Sequence, residues 1–418
     1  MHAIEEMHAA DARTLVVRWR VPYADAVSLG TRDRDLPPMP RHILQEVYEQ
    51  QSPDVFASLP YWTREYVGAG PFRLDRWEPG AFLEASAFDR YALGRPRIDR
   101  INVLFSSDPN AALARLLAGD ADLATDDAIG QRIEVLNEDW VPRGAGKMLR
   151  WPNSWRAAFF QLRPAVQNPR SLSDVRIRRA LAHGVDREAV NQAVYGGDVL
   201  LSDSMIWSGS EYGAAVERGV TTYPYDPRRS EQLMNEAGFA RGADGGFANA
   251  EGRFTAEVKT NQGADNEPEL LALASMWRQA GFAMQEAVLP AAQAQDNQVR
   301  SLFPALYTNY INMGEPTLIS MTTDGITRPE NRWNGTNRGG WSSEAYDRLI
   351  DVFNQTLDHG ERVDLVADLL RVFTTELPAI SLFHRSQPIA YVPAIRGPAP
   401  AAPESSQVRN IHTWEFGP

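Results

Sequence analysis

Cysteine is absent from the 418 residues. Its absence excludes thiolate nucleophiles, Cys-ligated zinc and disulfides, and it leaves the redox compartment unread. Long apolar runs are missing too, since no stretch approaches the ~18 residues of a membrane-spanning helix. Met1-His2-Ala3-Ile4-Glu5-Glu6 has neither the basic nor the apolar region of an export signal. Positive charge is in deficit: 42 Lys+Arg against 54 Asp+Glu leave a net charge of −12. That balance argues against a nucleic-acid partner, which calls for a basic face.

Catalytic signatures are equally scarce. The seven histidines are scattered, with no His-x-x-x-His or His-Glu-x-x-His pair, so neither a metal nor any other cofactor is expected. Gly68-x-Gly70 runs into a proline and a strand, which makes it a turn and not a dinucleotide loop. No phosphate loop and no Gly-x-Ser-x-Gly elbow occurs. Asp120/Asp122 and Asp126/Asp127 read as solvated loop charge. Eleven tryptophans among many carboxylates keep a hydrolase of glycosides or esters open as an alternative. A glycosidase would need two carboxylates set about 5–9 Å apart across a cleft.

What is present is a well-punctuated alternation of strands and helices, which predicts α/β lobes. Thr14–Trp19 alternates as a half-buried strand. Phe72–Trp77 and Phe82–Ala87 form a hairpin about Glu78-Pro79-Gly80, and Ile98–Phe105 is a third strand. Asp108-Pro109 opens a helix that Gly119 stops. Ser173, Asp186 and Asp226-Pro227 open further helices. Leu270, Leu273, Ala274 and Trp277 are the stripe of another, ending at Gly281. Two longer helices follow, on Tyr346–Phe353 and Val366–Phe373, before a strand Ala379–Phe383 and a Pro/Ala-rich connector at Pro398–Pro403.

Several of these blocks resemble, in order, the family-5 solute-binding proteins of ABC importers, the oligopeptide, dipeptide and nickel binders. Gly68-Ala69-Gly70-Pro71-Phe72-Arg73-Leu74 with Trp77-Glu78-Pro79-Gly80 is similar to the family's G-T-G-P-Y-x-L … W-x-P-G hairpin. Ala114–Asp122 resembles its L-x-x-G-E-I-D stretch. Asp174–Leu181 with Val185–Glu188 resembles D-V-R-V-R-Q-A-L-x-x-A-I-D-R, and Asp226–Phe239 resembles D-P-x-x-A-x-x-L-L-x-E-A-G-F. The resemblance implies a two-lobed, type II periplasmic binding-protein fold that closes over its solute by hinge motion. It also implies that a long N-terminal stretch of the family's chain is not here, leaving lobe I and the accessory lobe incomplete. On that reading residues 1–66 finish the accessory lobe and cross over, 67–168 belong to lobe I, 169–385 are lobe II, and 386–418 return to lobe I.

The function so implied is a non-enzymatic, monomeric, periplasmic receptor. It would pass a peptide-like or other small polar solute to an ABC permease in the inner membrane. A sensory ligand-binding domain is the other alternative. Ligand pockets of this kind are walled by aromatics with a few fixed polar groups. Asn153, Ser154, Trp155 and Arg156, placed just before a strand Ala157–Leu162, fit such a wall: Trp155 offers a stacking face and Arg156 an anion clamp. Tyr307, Asn309, Tyr310, Asn312 and Glu315 lie in a stretch similar to the family's A-D-Y-x-E/D-P, whose Asp pairs with a peptide's α-amino group. Asn312 stands at that Asp position and supplies no charge. Trp207, and Trp333 and Trp341 around a Gly/Asn-rich loop, complete the candidates. His384 and Arg385 end the strand that begins at Ala379.

Overall fold

The computed structural model describes residues 4–24, 26, 38–106, 108–129, 133–400 and 406–417. The Asp126 and Asp127 side chains, Met1–Ala3 and the end of the Pro398–Pro403 connector lie outside the described residues. Two compact units divide the chain. Unit 1 is Met1–Val27 with Pro152–Arg385, and unit 2 is Ser28–Trp151 with Ser386–Pro418.

The chain opens in unit 1 with an antiparallel pair, β1 (Ile4–Ala9) and β2 (Leu15–Trp19). In unit 2 come α1 (Arg41–Gln50) and a three-stranded meander of β3 (Phe72–Glu78), β4 (Phe82–Ala87) and β5 (Arg100–Leu104). Next is α2 (Pro109–Ala118), capped by the Asp108 carboxylate on the Asn110 N–H and closed by left-handed Gly119. Thus the predicted hairpin and helix form where turn and cap residues place them.

The long strand β6 (Lys147–Phe160) carries the chain into unit 1. Helices α3 (Val175–His183), α4 (Arg187–Tyr195), α5 (Gly213–Gly219) and α6 (Pro227–Glu236) follow. Then come β7 (Thr255–Asn261), α7 (Asn266–Gln279), β8 (Ala283–Leu289) and β9 (Leu306–Asn312). Short α8 (Glu315–Ser320) precedes the two long helices, α9 (Glu344–Gln355) and α10 (His359–Glu376), and β10 (Ala379–Tyr391) returns to unit 2. The strand order is β8-β7-β9-β6-β10. β7 runs parallel to β8 and β9, whereas β9 is antiparallel to β6.

Both faces of this sheet are covered. Ala158 and Phe160 of β6 face one core, with Leu181, Leu273 and Trp277 from the helices. Trp155, Ala157 and Phe159 face another, with Tyr346, Phe353 and Phe373. The period-2 alternation of a strand thus feeds two cores at once, each fully buried large side chain contributing about 1.5–3 kcal/mol.

Three sequence expectations change here. The cap of α3 is Asp174, which accepts from the Arg176 N–H, and Ser173 instead donates to the Arg170 carbonyl. The strand expected at Ala157–Leu162 already begins at Lys147, so Asn153–Arg156 lie inside it. Likewise β10 continues past Phe383 to Tyr391, which puts His384 and Arg385 in mid-strand.

Candidate functional site: a charged strand-end edge in unit 1

The two segments singled out on β6 and β9 are antiparallel partners. Asn312 lies opposite Ser154, Ile311 opposite Trp155, Tyr310 opposite Arg156 and Asn309 opposite Ala157. Side chains of opposed residues share a face, so alternation sorts them. Ser154, Arg156, Tyr310 and Asn312 take one side, while Trp155 and Ile311 take the other and enter its core. Asn153 and Asn309 are buried, Ser154 is half-buried, and Asn312 is exposed at the carboxyl end of β9. Gly314, at φ 102°, then turns the chain into α8, a conformation that disfavours any side chain.

Under Tyr310 lies a polar cluster that the sequence reading did not assemble. Arg156 is sealed, with its Nη2 2.7 Å from Glu269 of α7, itself wholly buried. The Arg156 Nε donates to the same carboxylate at 2.8 Å, and its Nη2 to the hydroxyls of Thr260 and Thr308 at 3.2 and 3.0 Å. The Tyr195 hydroxyl at the end of α4 donates to the other Glu269 oxygen at 2.7 Å. Burial opposes the charge on Arg156, yet Glu269 beside it holds the guanidinium above its ordinary range. Burial also pushes the Tyr310 phenol up.

The Tyr310 ring receives two guanidiniums. Arg156 approaches its centroid at 4.3 Å and Arg385 of β10 at 4.4 Å. Arg385 in turn donates from Nη2 to Asp265 at 2.9 Å. Asp265 occupies the N-cap position of α7 but makes no capping bond there. Signals for this cluster were in the sequence: Glu269 precedes Leu273 and Trp277 at helical spacing, so it sits on the buried face and needs a cationic partner. Neither its partner nor the role of Asp265 could be read locally.

The remaining candidates divide by burial. Trp155 is fully enclosed, edge-on to Phe159 and Phe373, so it offers no open stacking face in this structure. The expected clamp Arg156 is already engaged by Glu269. Tyr307 is buried with its hydroxyl donating to Asn261 at 2.6 Å. Trp341 packs against Tyr346 and Phe373 and donates from Nε1 to Glu376 at 2.8 Å. Trp207 is half-buried against the same core, and Trp333 is half-buried at φ 60°. Glu315 pairs with Arg362 at 2.7 Å and accepts from the Tyr212 hydroxyl, so it holds the turn after β9.

His384 is buried, its Nε2 within 2.8 Å of the Ser204 carbonyl and 2.9 Å of the Ser202 hydroxyl. Burial pushes its pKa down to about 4, so it is neutral at pH 7. Among the described residues no group of three or more His, Asp or Glu could hold a metal ion, and no helix is long and apolar enough to cross a membrane. Unit 2 carries a groove of about 1110 Å³ lined by β4, β5 and α2 residues and by Trp414.

Two strands, β6 and β10, run from one unit into the other, and the unit-1 sheet they share is covered on both faces. The chain belongs to the bacterial extracellular solute-binding proteins of family 5, whose middle-region model matches residues 1–324. Among relatives, an ABC transporter peptide-binding protein of Brucella ovis is 24% identical over 240 residues, 57% of this chain. That match covers only 41% of the Brucella protein, and the match to the dipeptide-binding protein of Escherichia coli covers 56%, so the chain spans about half the length of the relatives it matches. NikZ of Campylobacter jejuni, solved with Ni(L-His), superposes with TM-score 0.78 at 18% identity, covering 99% of this chain and 78% of NikZ. AppA of Bacillus subtilis, solved with a nonapeptide, gives 0.77 at 17% identity, covering 100% and 79%. The fold is therefore that of the two-lobed family-5 binding proteins.

Proposed function

We propose that this chain is the solute-capturing part of an ABC-importer receptor, working outside the cytoplasmic membrane as a monomer and without catalysis. Family membership across residues 1–324 carries the reading, and the charged edge of unit 1 supplies a chemistry suited to a small polar solute. Pro152–Arg385 of unit 1 corresponds to lobe II of the family and Val67–Trp151 with Ser386–Pro418 of unit 2 to lobe I, while residues 1–66 finish the accessory lobe. Ser154, Tyr310 and Asn312 are the unit-1 contacts we assign to the solute. Trp207 and Trp333 are peripheral candidates, and Asn153 and Asn309 support the strands. Trp155, Arg156, Tyr307, Glu315 and Trp341 hold the frame on which the contacts stand.

The test is a thermal-shift screen of the purified chain against amino acids, peptides, opine-like compounds, oligosaccharides and metal chelates. One class should raise the melting temperature reproducibly, since a ligand at ~100 times its Kd adds about 2.7 kcal/mol. The stabilising compound should be recovered unchanged by mass spectrometry. No shift from any class, or turnover of the compound, would defeat the receptor reading.

A further inference from the structure

An Asn-Gly or Asp-Gly step is where a chain can rewrite itself, because glycine has no Cβ to keep its nitrogen away from the preceding side chain. Three such steps occur: Asp244-Gly245, Asp324-Gly325 and Asn334-Gly335. The first two are held shut. The Gly245 N–H donates to the Gly242 carbonyl at 2.9 Å, and the Gly325 N–H to the Thr322 carbonyl at 3.1 Å. Their side chains are also carboxylates, whose negative charge repels a nucleophile. Asn334 differs on both counts: it is a neutral amide, and the Gly335 N–H donates to no group among the described residues.

The surroundings of Asn334 point the same way. Its side chain is exposed, and its Oδ1 accepts from Asn297 Nδ2 at 3.2 Å, which draws electron density from the side-chain carbon. Arg332 and Trp333 just before it have φ 53° and 60°. Two successive residues with a Cβ in the left-handed region store strain in the loop. Asn337, three positions on, is the opposite case. It is buried, and its Nδ2 donates to the carbonyls of Met321, Thr322 and Trp341 at 3.3, 3.0 and 2.7 Å, so its amide is locked.

We propose that Asn334 is a site of spontaneous deamidation in the folded chain, and that the product reshapes the loop carrying Trp333. The Gly335 nitrogen gives its proton to solvent and bonds to the Asn334 side-chain carbon. The side-chain nitrogen leaves that carbon as ammonia, which closes a five-membered succinimide. Water then opens the ring at one of its two carbonyls. Opening at the side-chain carbonyl gives aspartate in an unaltered main chain, and opening at the main-chain carbonyl gives isoaspartate. The sum is one amide hydrolysed by one water, with no oxidant, metal or enzyme. Isoaspartate lengthens the main chain by one carbon where there is no room for it: a Cβ on Gly335 would already fall 2.4 Å from the Gly325 carbonyl oxygen. The loop must therefore shift, and the change runs one way.

The purified full chain would be aged in mildly alkaline buffer, folded and in urea, and digested with trypsin at intervals. Cleavage after Arg332 and Arg338 isolates the peptide Trp333–Arg338, which holds both Asn334 and the locked Asn337. Fragmentation should place the amide-to-acid mass gain on Asn334 alone, in two chromatographic forms, with one heavy oxygen taken up from labelled water. The folded chain should convert within about tenfold of the rate in urea, and Asn297→Ala should slow the folded rate only. Aged wild type should melt lower than fresh, whereas Asn334→Gln, whose longer side chain closes the ring poorly, should age without change. Protection of Asn334 in the folded chain beyond that factor, conversion at Asn337 instead, or an aged Asn334→Gln that loses as much stability as wild type overturns the proposal.

Discussion

Two carboxylates one turn apart at the start of α7 meet two arginines from different strands, and the pairs share almost nothing beyond their chemistry. Glu269 reaches Arg156 in the interior of unit 1, where Thr260, Thr308 and Tyr195 occupy further hydrogen-bonding positions. Asp265 reaches Arg385 at the edge, through one bond and with both side chains partly exposed. Desolvating an ion pair is offset only when the geometry and supporting hydrogen bonds are complete. The inner pair meets that condition and serves the frame. The outer pair has fewer supporting bonds and more solvent around it. Tyr310 touches both guanidiniums, so the frame and the edge are mechanically one piece.

The comparison breaks most visibly if the inner pair is cut. Glu269→Ala leaves Arg156 charged and buried, and should lower the stability of unit 1 by about 3–5 kcal/mol. Urea denaturation followed by tryptophan fluorescence would report it, since Trp155 and Trp277 lie in the two cores. Replacing both partners with apolar residues, as Arg156→Met with Glu269→Leu, should recover much of that loss. Recovery distinguishes a stranded charge from a lost cavity filling.

A second interior group sharpens the contrast through pH. His384 has its folded pKa depressed to about 4 from an ordinary 6.5 by burial. Between those values the unfolded chain takes up a proton that the folded one does not, so stability falls as pH drops from 6.5 to 4. The penalty reaches roughly 3 kcal/mol below pH 4, at about 1.4 kcal/mol per pKa unit. His384→Gln should flatten that part of the stability-pH curve relative to wild type. Superimposable curves would mean that His384 is not held neutral.

Much of the frame was legible because its signals are local. Asp186, Asp226 and Gly119 act within a few residues of themselves, and the structure has the helices where these residues start or stop them. The shift from Ser173 to Asp174 is a choice between adjacent capping side chains, which sequence resolves poorly. The start of β6 was hidden because Pro152, Asn153 and Ser154 disfavour strands, and pairing in the sheet overrides that, with β9 from Ser154 onward and β10 on the other side. The site was harder still. Residues 153–156 and 307–312 were each picked for their composition, but their register is a contact across more than 150 positions of chain. Trp155 looked like an open platform because a tryptophan beside polar residues reads as exposed. Alternation along β6 sends it inward instead. Arg385 and Asp265 lie far apart in sequence and carry no motif, so nothing local ties them together.

The smallest effect should come from cutting the outer pair, and its smallness is the point. An ion pair with both partners partly exposed is screened by water and salt, and such pairs are worth about 0–1 kcal/mol. Asp265→Asn should therefore move the urea midpoint little, and 0.5 M NaCl should shrink the difference further. Arg385→Gln should behave alike, apart from a minor loss of contact with the Tyr310 ring, itself about 0.5–1 kcal/mol at exposed sites. A double-mutant cycle of Arg385→Gln with Asp265→Asn would then give a coupling well below that of Arg156 with Glu269. If the outer coupling matched the inner one, Arg385 and Asp265 would be structural like the pair beneath them, and the division between frame and edge would have no energetic basis.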